Sequence, residues 1–233
     1  MTVKGYKAFN SDWTCRDKQY ELGKTYHEDK VELCEHGMHF CKELKDVFRF
    51  YDYGSDIKLA VVEASGKVVQ SSNDSLCVTS DIKVVEEIKV NSEEVKLEAV
   101  KGDGLAIRCI DNPSETVQLE AVKQNGSAIW YIKKPSEAVQ LEAVKQNSSA
   151  IRCIGNPSEA VQLEAVKRNG LAIHCIDNPS ETVQLEAVKQ NSSAIWYIDN
   201  PSEEVQLEAV KRNSMAIQLI KKPSEKVYKY IVK

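Results

Sequence analysis

Two cysteines and two histidines lie close together in the N-terminal part of the sequence. Cys34, His36, His39 and Cys41 fall within eight residues of one another. Thiolate and imidazole groups are the usual ligands of a structural zinc ion. However, one residue between Cys34 and His36 is tight for a tetrahedral site, and the loop that normally separates two ligand pairs is missing. We therefore interpret Cys34–Cys41 as a strand with inward-pointing side chains and predict no metal, with zinc binding as the alternative.

A second set of candidate residues recurs every 22 residues in the C-terminal part of the chain. It mixes cationic, indole and amide side chains, which suits a solvent-facing ridge better than a core. Trp and Arg are enriched at the energetic centres of protein interfaces, so this row predicts a partner-binding surface. The alternative is that the two Trp rings fill gaps between repeats. The row consists of Arg108, Trp130, Arg152, His174, Trp196 and Gln218.

The 22-residue spacing of these side chains reflects an internal repeat of the sequence. From residue 91 onwards, a motif close to Asn-Pro-Ser-Glu returns every 22 residues, in six full copies and a truncated seventh. A fixed period of this length is typical of a solenoid, in which each copy packs on the next. The sequence therefore predicts an α+β domain at 1–90 and an all-α solenoid of helix-turn-helix repeats at 91–233, closed by a capping half-repeat.

Each copy begins with a helix-start signal. In the second copy we expect Asn112 to cap a helix over Pro113–Lys123, with the proline at its first position and a glutamate reaching back to the cap. Asn125 should end this helix. A second and shorter helix is expected over Ala128–Ile132.

The spacing of apolar residues predicts which repeat positions are buried. Val, Ala and Ile positions that recur in every copy are assigned to the shared core, and so is the position that follows the candidate row. Gln118 and its counterparts lie inside the apolar arc, so we expect them to hydrogen-bond to backbone or to the next repeat. The position that follows the row holds Cys109, Tyr131, Cys153, Cys175, Tyr197 and Leu219.

The first 90 residues follow a different pattern, which predicts an α+β domain. Leu44–Tyr51 has the apolar spacing of a helix. Ser65 and Gly66 should form a turn into a further strand. Strands are predicted at Val3–Phe9, Tyr20–Tyr26, Lys58–Ala64 and Cys77–Val90.

Composition and charge exclude several functional classes. With 42% hydrophobic and 28% charged residues and no long apolar run, the chain is expected to be globular, with no membrane-spanning segment. The repeats hold 18 basic against 19 acidic residues, so nucleic acid is not expected as the main ligand. The seven cysteines are an odd number without the density of a disulfide scaffold, which favours the cytoplasm.

Several motifs in residues 3 to 90 resemble an uncharacterised domain family that is common in bacteriophages and prophages. The resemblance implies no known activity. The repeats are similar to helical-hairpin repeats of the leucine-rich-repeat-variant and HEAT type, which also occur in phage-encoded proteins. The motifs are, in order, Gly5–Phe9, Cys15–Arg16, Tyr20–Tyr26, Leu33–Cys41, Asp46–Phe48 and Val61–Gly66.

Part of the same domain is similar to ADP-ribosyltransferase folds. A Gly-x-His-Phe motif, a helix and a strand ending in Glu-Ala-Ser-Gly follow one another as they do around the nicotinamide cleft of those enzymes. The likeness places His39 near the aromatic position of such a cleft, whereas Glu63 is no convincing match to the catalytic glutamate. It implies an alternative site for a nucleotide-like ligand near His36, His39 and Tyr51.

These observations lead us to predict a non-enzymatic protein-binding scaffold with no catalytic residue and no cofactor. The phage resemblance implies an inhibitor that occludes a host defence protein, for example in a CRISPR system, or a housekeeping protein in the host cytoplasm. Self-association through the solenoid ends or the N-terminal domain stays open. The alternative function is small-molecule binding or ADP-ribosyltransferase-like chemistry in the N-terminal domain.

Overall fold

The computed structural model describes residues 2–54, 56–72 and 75–232. It divides into two compact units, one extending to Gln124 and the other beginning at Asn125. The first unit holds the N-terminal strands, the first repeat and the α-helix of the second repeat. The second unit holds the repeats that follow. The domain boundary at residue 90 stays a prediction.

Antiparallel strands form the N-terminal sheet, and the predicted strands near residues 3, 58 and 77 are confirmed. A separate ribbon pairs β2 with β3. Of the predicted strand Tyr20–Tyr26, only its end is part of a strand. The strands are β1 (Val3–Asn10), β2 (Thr14–Cys15), β3 (Lys18–Gln19), β4 (Thr25–His27), β5 (Met38–Cys41), β6 (Ile57–Gln70) and β7 (Leu76–Ile88).

The main sheet closes on itself. Strand β1 pairs with β5 and β6, and β7 pairs with β4, β5 and β6, so β1, β6, β7 and β5 form a ring. Phe9, Phe40, Val62 and Ile82 are fully or almost fully buried inside it. Strand alternation explains this core, because every second residue of each strand points inward.

The turn predicted at Ser65 and Gly66 is wrong. Strand β6 continues through both residues, and its pairing with β7 shifts between Ser65 and Val68. This shift is a β-bulge, which inserts extra residues into one strand without ending it. Gly66 has a φ of +68°, a conformation that favours glycine.

A short helix that follows β5 packs against both the sheet and the first repeat. Helix α1 (Leu44–Val47) covers half of the segment with predicted helical spacing and packs against the α-helix of the first repeat. Gly102 at the end of that helix lies so close that an added Cβ would be 2.3 Å from the carbonyl oxygen of Lys45. The Tyr53 hydroxyl donates to the carbonyl oxygen of Val90 at 3.1 Å. The N-terminal domain therefore packs against the α-helix of the first repeat.

The repeats form the predicted run of 22-residue helical units, and adjacent α-helices within each unit of the structure pack together. The second helix of each copy is a six-residue 3₁₀ helix. The α-helices are α2 (Glu93–Gly102), α3 (Glu115–Gln124), α4 (Glu137–Gln146), α5 (Glu159–Arg168), α6 (Glu181–Gln190), α7 (Glu203–Arg212) and α8 (Glu225–Ile231). The 3₁₀ helices are Gly104–Cys109, Gly126–Tyr131, Ser148–Cys153, Gly170–Cys175, Ser192–Tyr197 and Ser214–Leu219.

The residue that starts each α-helix differs from the prediction. Ser136 caps α4, because its hydroxyl accepts a hydrogen bond of 3.3 Å from the backbone N–H of Val139. Asn112 is not the cap of α3; it has a φ of +47°, and helix α3 begins only after Ser114. Asparagine tolerates this left-handed conformation better than most residues, which explains its place before the proline.

Two kinds of hydrogen bond recur along the repeats, one between neighbouring copies and one within a copy. The capping Ser180 also donates to the carboxylate of Glu159 in the preceding copy. Gln184 donates from Nε2 to the carbonyl oxygen of Pro179 at 2.9 Å, and this confirms the backbone role predicted for the repeated glutamine. The same two arrangements recur in other copies.

Within 2–54, 56–72 and 75–232, no helix combines the length and the apolar character that crossing a bilayer requires.

Candidate functional site

A cavity of about 550 Å³ opens in the N-terminal unit. Its walls come from β1, from the β2–β3 ribbon, from the segment leading into β5 and from the residues after α1. His36, His39 and Tyr51 all line it. The structure therefore brings together the three residues of the predicted ligand cleft.

Lys7 forms the floor of this cavity. This is an unusual position for a lysine, because its side chain is charged in water. It lies on β1, on the same face as Phe9, and is 5% exposed. Its Nζ donates to the carbonyl oxygen of His39 at 2.9 Å and to the sulfur of Cys15 at 3.3 Å. The amine also lies 5.7 Å from the centre of the Tyr20 ring. Burial lowers the pKa of the Lys7 amine, because a low-dielectric surrounding disfavours the charged form.

Cys15 and Tyr51 stand beside this amine. The Tyr51 hydroxyl lies 3.3 Å from the Cys15 sulfur, and either group can be the donor. Burial raises the pKa of the Tyr51 hydroxyl, and the hydrogen bond to Cys15 adds to this effect. Tyr51 is therefore a neutral phenol at physiological pH.

Two basic side chains, Arg16 and Lys7, lie close enough to His39 to influence its protonation. Its Nε2 accepts a hydrogen bond of 2.9 Å from the backbone N–H of Cys34. Its pKa is lowered first by burial and then by the charges of Arg16 and Lys7. His39 is therefore held as a neutral imidazole, with Nδ1 carrying the proton.

The zinc alternative is not favoured by this arrangement. Cys34 and His36 are exposed, Cys41 is buried, and the ring nitrogen of His39 is engaged by the backbone of Cys34. In the described parts of the chain, the residues close enough to share a metal ion are the exposed Glu32, Glu35 and His36. The predicted strand over Cys34–Cys41 is also wrong in its first half, since Cys34 has a φ of +66° and β5 begins at Met38.

Sequence reasoning missed Lys7, Cys15 and Arg16. Arg16 lines the cavity and donates from Nη1 to the carbonyl oxygen of Glu35 at 3.0 Å. One signal was present in the sequence. Strand alternation places Lys7 on the side of Phe9, and this pattern alone would have put a charged residue in the core.

The predicted partner row is exposed in the structure. Trp130 and Trp196 keep 68% and 55% of their surface accessible, so neither ring is enclosed between repeats. Arg152, His174 and Gln218 are exposed as well. These five residues occupy equivalent positions of successive 3₁₀ helices in the second unit, and neighbouring 3₁₀ helices pack together.

Arg108, which belongs to the first unit, is exposed too. Its guanidinium lies 3.6 Å from the carboxylate of Asp52, which is itself largely exposed.

The position that follows this row does not point into the core as predicted. Tyr131 and Tyr197 are 45% and 49% exposed, and Cys109 is also exposed. In the Gly126–Tyr131 helix, the buried side chains are those of Ala128 and Ile129. We call the exposed side chains of the second unit at both positions the aromatic ridge: Trp130, Tyr131, Arg152, His174, Trp196, Tyr197 and Gln218.

Neighbouring members of the aromatic ridge touch one another. The rings of His174 and Tyr197 have their centres 5.5 Å apart. The His174 ring is oriented by Nδ1, which donates to the carbonyl oxygen of Leu171 at 2.6 Å. Trp196 also forms the edge of a groove of about 350 Å³ whose lining includes Lys221 and Lys222. His174 and Tyr197 therefore join two neighbouring copies of the ridge, and two lysines border the groove at Trp196.

Comparison with known proteins concerns the N-terminal part of the chain. Residues 3–96 match the model of a family described as "Domain of unknown function (DUF7666)". The chain matched none of the curated proteins and none of the solved structures with which we compared it. The matched segment is thus similar to an uncharacterised domain family, and it contains every residue that lines the 550 Å³ cavity.

Proposed function

We propose that this chain is a non-enzymatic binding protein whose aromatic ridge docks onto a partner protein. The observation that carries this proposal is the exposure of Trp130 and Trp196. Two exposed indoles on a rigid repeat scaffold are costly to keep in water and are the side chains most enriched at interface hot spots.

The charges around the ridge indicate the chemistry of the partner. Arg152 lies between the two Trp positions, and Lys221 and Lys222 border the groove beside Trp196. Complementarity then calls for a protein surface that offers carboxylates around apolar pockets. Lys221 already has a weak partner in Asp199, at 3.1 Å and well exposed, so it can be recruited at little cost.

The identity of the partner is a finer proposal. The resemblance of residues 3 to 90 to domains common in bacteriophages supports a host defence or housekeeping protein that is blocked by occlusion. The alternation of α-helix and 3₁₀ helix supports repeats of the leucine-rich-repeat-variant and HEAT type. The seven cysteines, an odd number without the density of a disulfide scaffold, support action in the cytoplasm.

A pull-down with matched variants tests the ridge. The wild-type chain and a Trp130→Ala/Trp196→Ala variant are immobilised and exposed to bacterial lysate, and captured proteins are identified by mass spectrometry. Hot-spot residues contribute at least about 2 kcal/mol, so the affinity for the captured partner should fall at least about 30-fold in the variant. Lys145→Ala/Lys189→Ala, on exposed helix positions, serves as the control and should bind normally. Equal binding by the Trp variant would contradict the proposal.

The cavity of the N-terminal unit favours a second function, the capture of a small molecule. It contains the three residues of the predicted cleft and is large enough for a nucleotide-sized ligand. ADP-ribosyltransferase-like chemistry has the weaker support of a fold-level likeness, and Glu63 on β6 is not part of the cavity lining.

A further inference from the structure

The floor of the N-terminal cavity holds a buried lysine amine, and among the described residues no carboxylate is one of its hydrogen-bond acceptors. The Nζ of Lys7 donates to a thiol and to a backbone carbonyl, and two aromatic rings, Phe9 and Tyr20, lie within 6 Å of it. These partners offer dipoles and ring faces. They stabilise an ammonium group but do not cancel its charge.

A buried cation of this kind is costly for folding. Taking a lysine out of water disfavours its charged form unless an anion is supplied. Ionisable groups in such a position are concentrated at functional sites, where a ligand supplies the missing charge. The neighbouring His39 senses the same field, since the charges of Arg16 and Lys7 lower its pKa.

The acidic residues that line the cavity do not supply the negative charge that Lys7 lacks. Glu28 is paired with Lys18 at 2.9 Å. Asp17 and Glu35 are exposed at the surface, whereas Lys7 is buried at the floor. Arg16 is exposed and hydrogen-bonded to a backbone oxygen, so its remaining N–H donors can reach a ligand.

We propose that the N-terminal cavity binds a small anionic ligand, whose carboxylate or phosphate oxygens are held by Lys7 at the floor and Arg16 at the mouth. Tyr51 and His36 supply flat walls for the body of the ligand. A volume of about 550 Å³ lies within the range of small-molecule sites. This proposal rests on the small-molecule capture proposed above for the cavity, and it is independent of the aromatic ridge, so the ridge proposal can fail or hold separately.

The thiol of Cys15 provides a reporter at the site. It lines the cavity and contacts Lys7, so its rate of labelling measures the local potential. The probes are two methanethiosulfonates, one carrying a sulfonatoethyl group and one a trimethylammonioethyl group. Labelling of the Cys15 peptide is followed by mass spectrometry, and each rate is divided by the rate with free N-acetylcysteine.

We expect the normalised labelling rate of the anionic reagent to be at least about 10 times that of the cationic reagent. Positive charges near Cys15 attract the anionic reagent and repel the cationic one. Lys7→Met and Arg16→Gln should each reduce this preference. Inorganic phosphate should slow labelling by the anionic reagent more than acetate if the natural ligand is a phosphate, and less if it is a carboxylate. Choline chloride at equal ionic strength is the control and should have no specific effect.

Three results would overturn the proposal. The first is a wild-type preference for the cationic reagent or for neither. The second is labelling by neither reagent, since the cavity would then not admit an anion of this size. The third is a preference that both variants retain. The wild-type measurement decides the main point even if Lys7→Met does not fold.

Discussion

The ammonium group of Lys7 donates a hydrogen bond of 3.3 Å to the thiol sulfur of Cys15 inside the N-terminal sheet. Lys7 also contacts the backbone of His39, and Cys15 contacts the hydroxyl of Tyr51. His39 and Tyr51 come from distant parts of the chain. A sheet that needed only stability would carry an apolar side chain at position 7, as it does at Phe9. The pair is the basis of the anion site proposed above.

The first prediction concerns the stability cost of Lys7. Replacing buried charged groups by apolar residues of similar volume is often neutral or stabilising by about 1–4 kcal/mol. We expect Lys7→Met to unfold in urea at the same or a higher midpoint than the wild type. Phe9→Ala is the control for a loss of core packing and should cost about 3–5 kcal/mol. A loss above about 2 kcal/mol in Lys7→Met would instead mean that the ammonium holds the sheet together.

The second prediction separates the aromatic ridge from the core. Trp130 is 68% exposed, whereas the adjacent Ile129 is 1% exposed. Trp130→Ala should change the free energy of unfolding by no more than about 0.5 kcal/mol. Ile129→Ala should cost about 2–5 kcal/mol, because it leaves a cavity in the core. Urea titrations of both variants measure the contrast, and similar losses would place the indole in the core.

The third prediction concerns the link between neighbouring copies. Ser180 caps α6 by accepting from the backbone N–H of Val183, and it also donates to Glu159. Ser180→Ala should therefore cost about 0.5–2 kcal/mol, the range of an N-cap deletion. A double-mutant cycle with Glu159→Ala should show a coupling of at least about 0.5 kcal/mol. Ser193→Ala, on an exposed site, is the control, and strict additivity of the two changes would rule out the link.

The fourth prediction concerns the repeated glutamine. Gln184 donates to the carbonyl oxygen of Pro179, so Gln184→Leu leaves a half-buried acceptor without its partner. A loss of about 1–3 kcal/mol is expected, since an unsatisfied carbonyl is expensive even when the new side chain is apolar. Gln146→Leu, at the exposed end of α4, is the matched control. Thermal unfolding that does not distinguish the two variants would remove the structural role of the glutamine.

The fifth prediction is a pH dependence at His27. Its pKa is raised by the hydrogen bond to Asp81 and then by the one to Asp29, at 2.7 and 3.1 Å. A raised pKa stabilises the fold fully below the ordinary value of 6.5, and this contribution disappears as the pH rises through the raised value. The pKa of Asp81 is lowered, so its carboxylate remains charged in this window.

We therefore expect the Tm difference between the wild type and His27→Gln to be largest near pH 5 to 6 and to shrink towards about pH 9. Calorimetry across this range measures it. A Tm difference that stays constant with pH would show that the ring contributes only packing.

The repeats were the part of the fold that local reasoning could predict. The approximate positions of the helices, the buried alanines and the role of Gln184 depend on neighbours within a few residues or on an identical neighbouring copy. The error at Asn112 arose because serine and asparagine both make good caps, and only the backbone conformation distinguishes them. The error at Tyr131 arose because its apolar character alone placed it in the core, and apolar side chains also occur on protein surfaces.

For the N-terminal domain, the amino-acid sequence alone determined the long strands and the presence of a histidine-rich segment, because alternation and side-chain type are local properties. Only the tertiary structure decided that Lys7, Cys15, His39 and Tyr51 share one cavity. These residues lie on separate segments, and their meeting depends on the pairing of β1 with β5 and on where the residues after α1 pack. Pairing of this kind is a property of the whole sheet, so residue spacing along the chain carries little information about it.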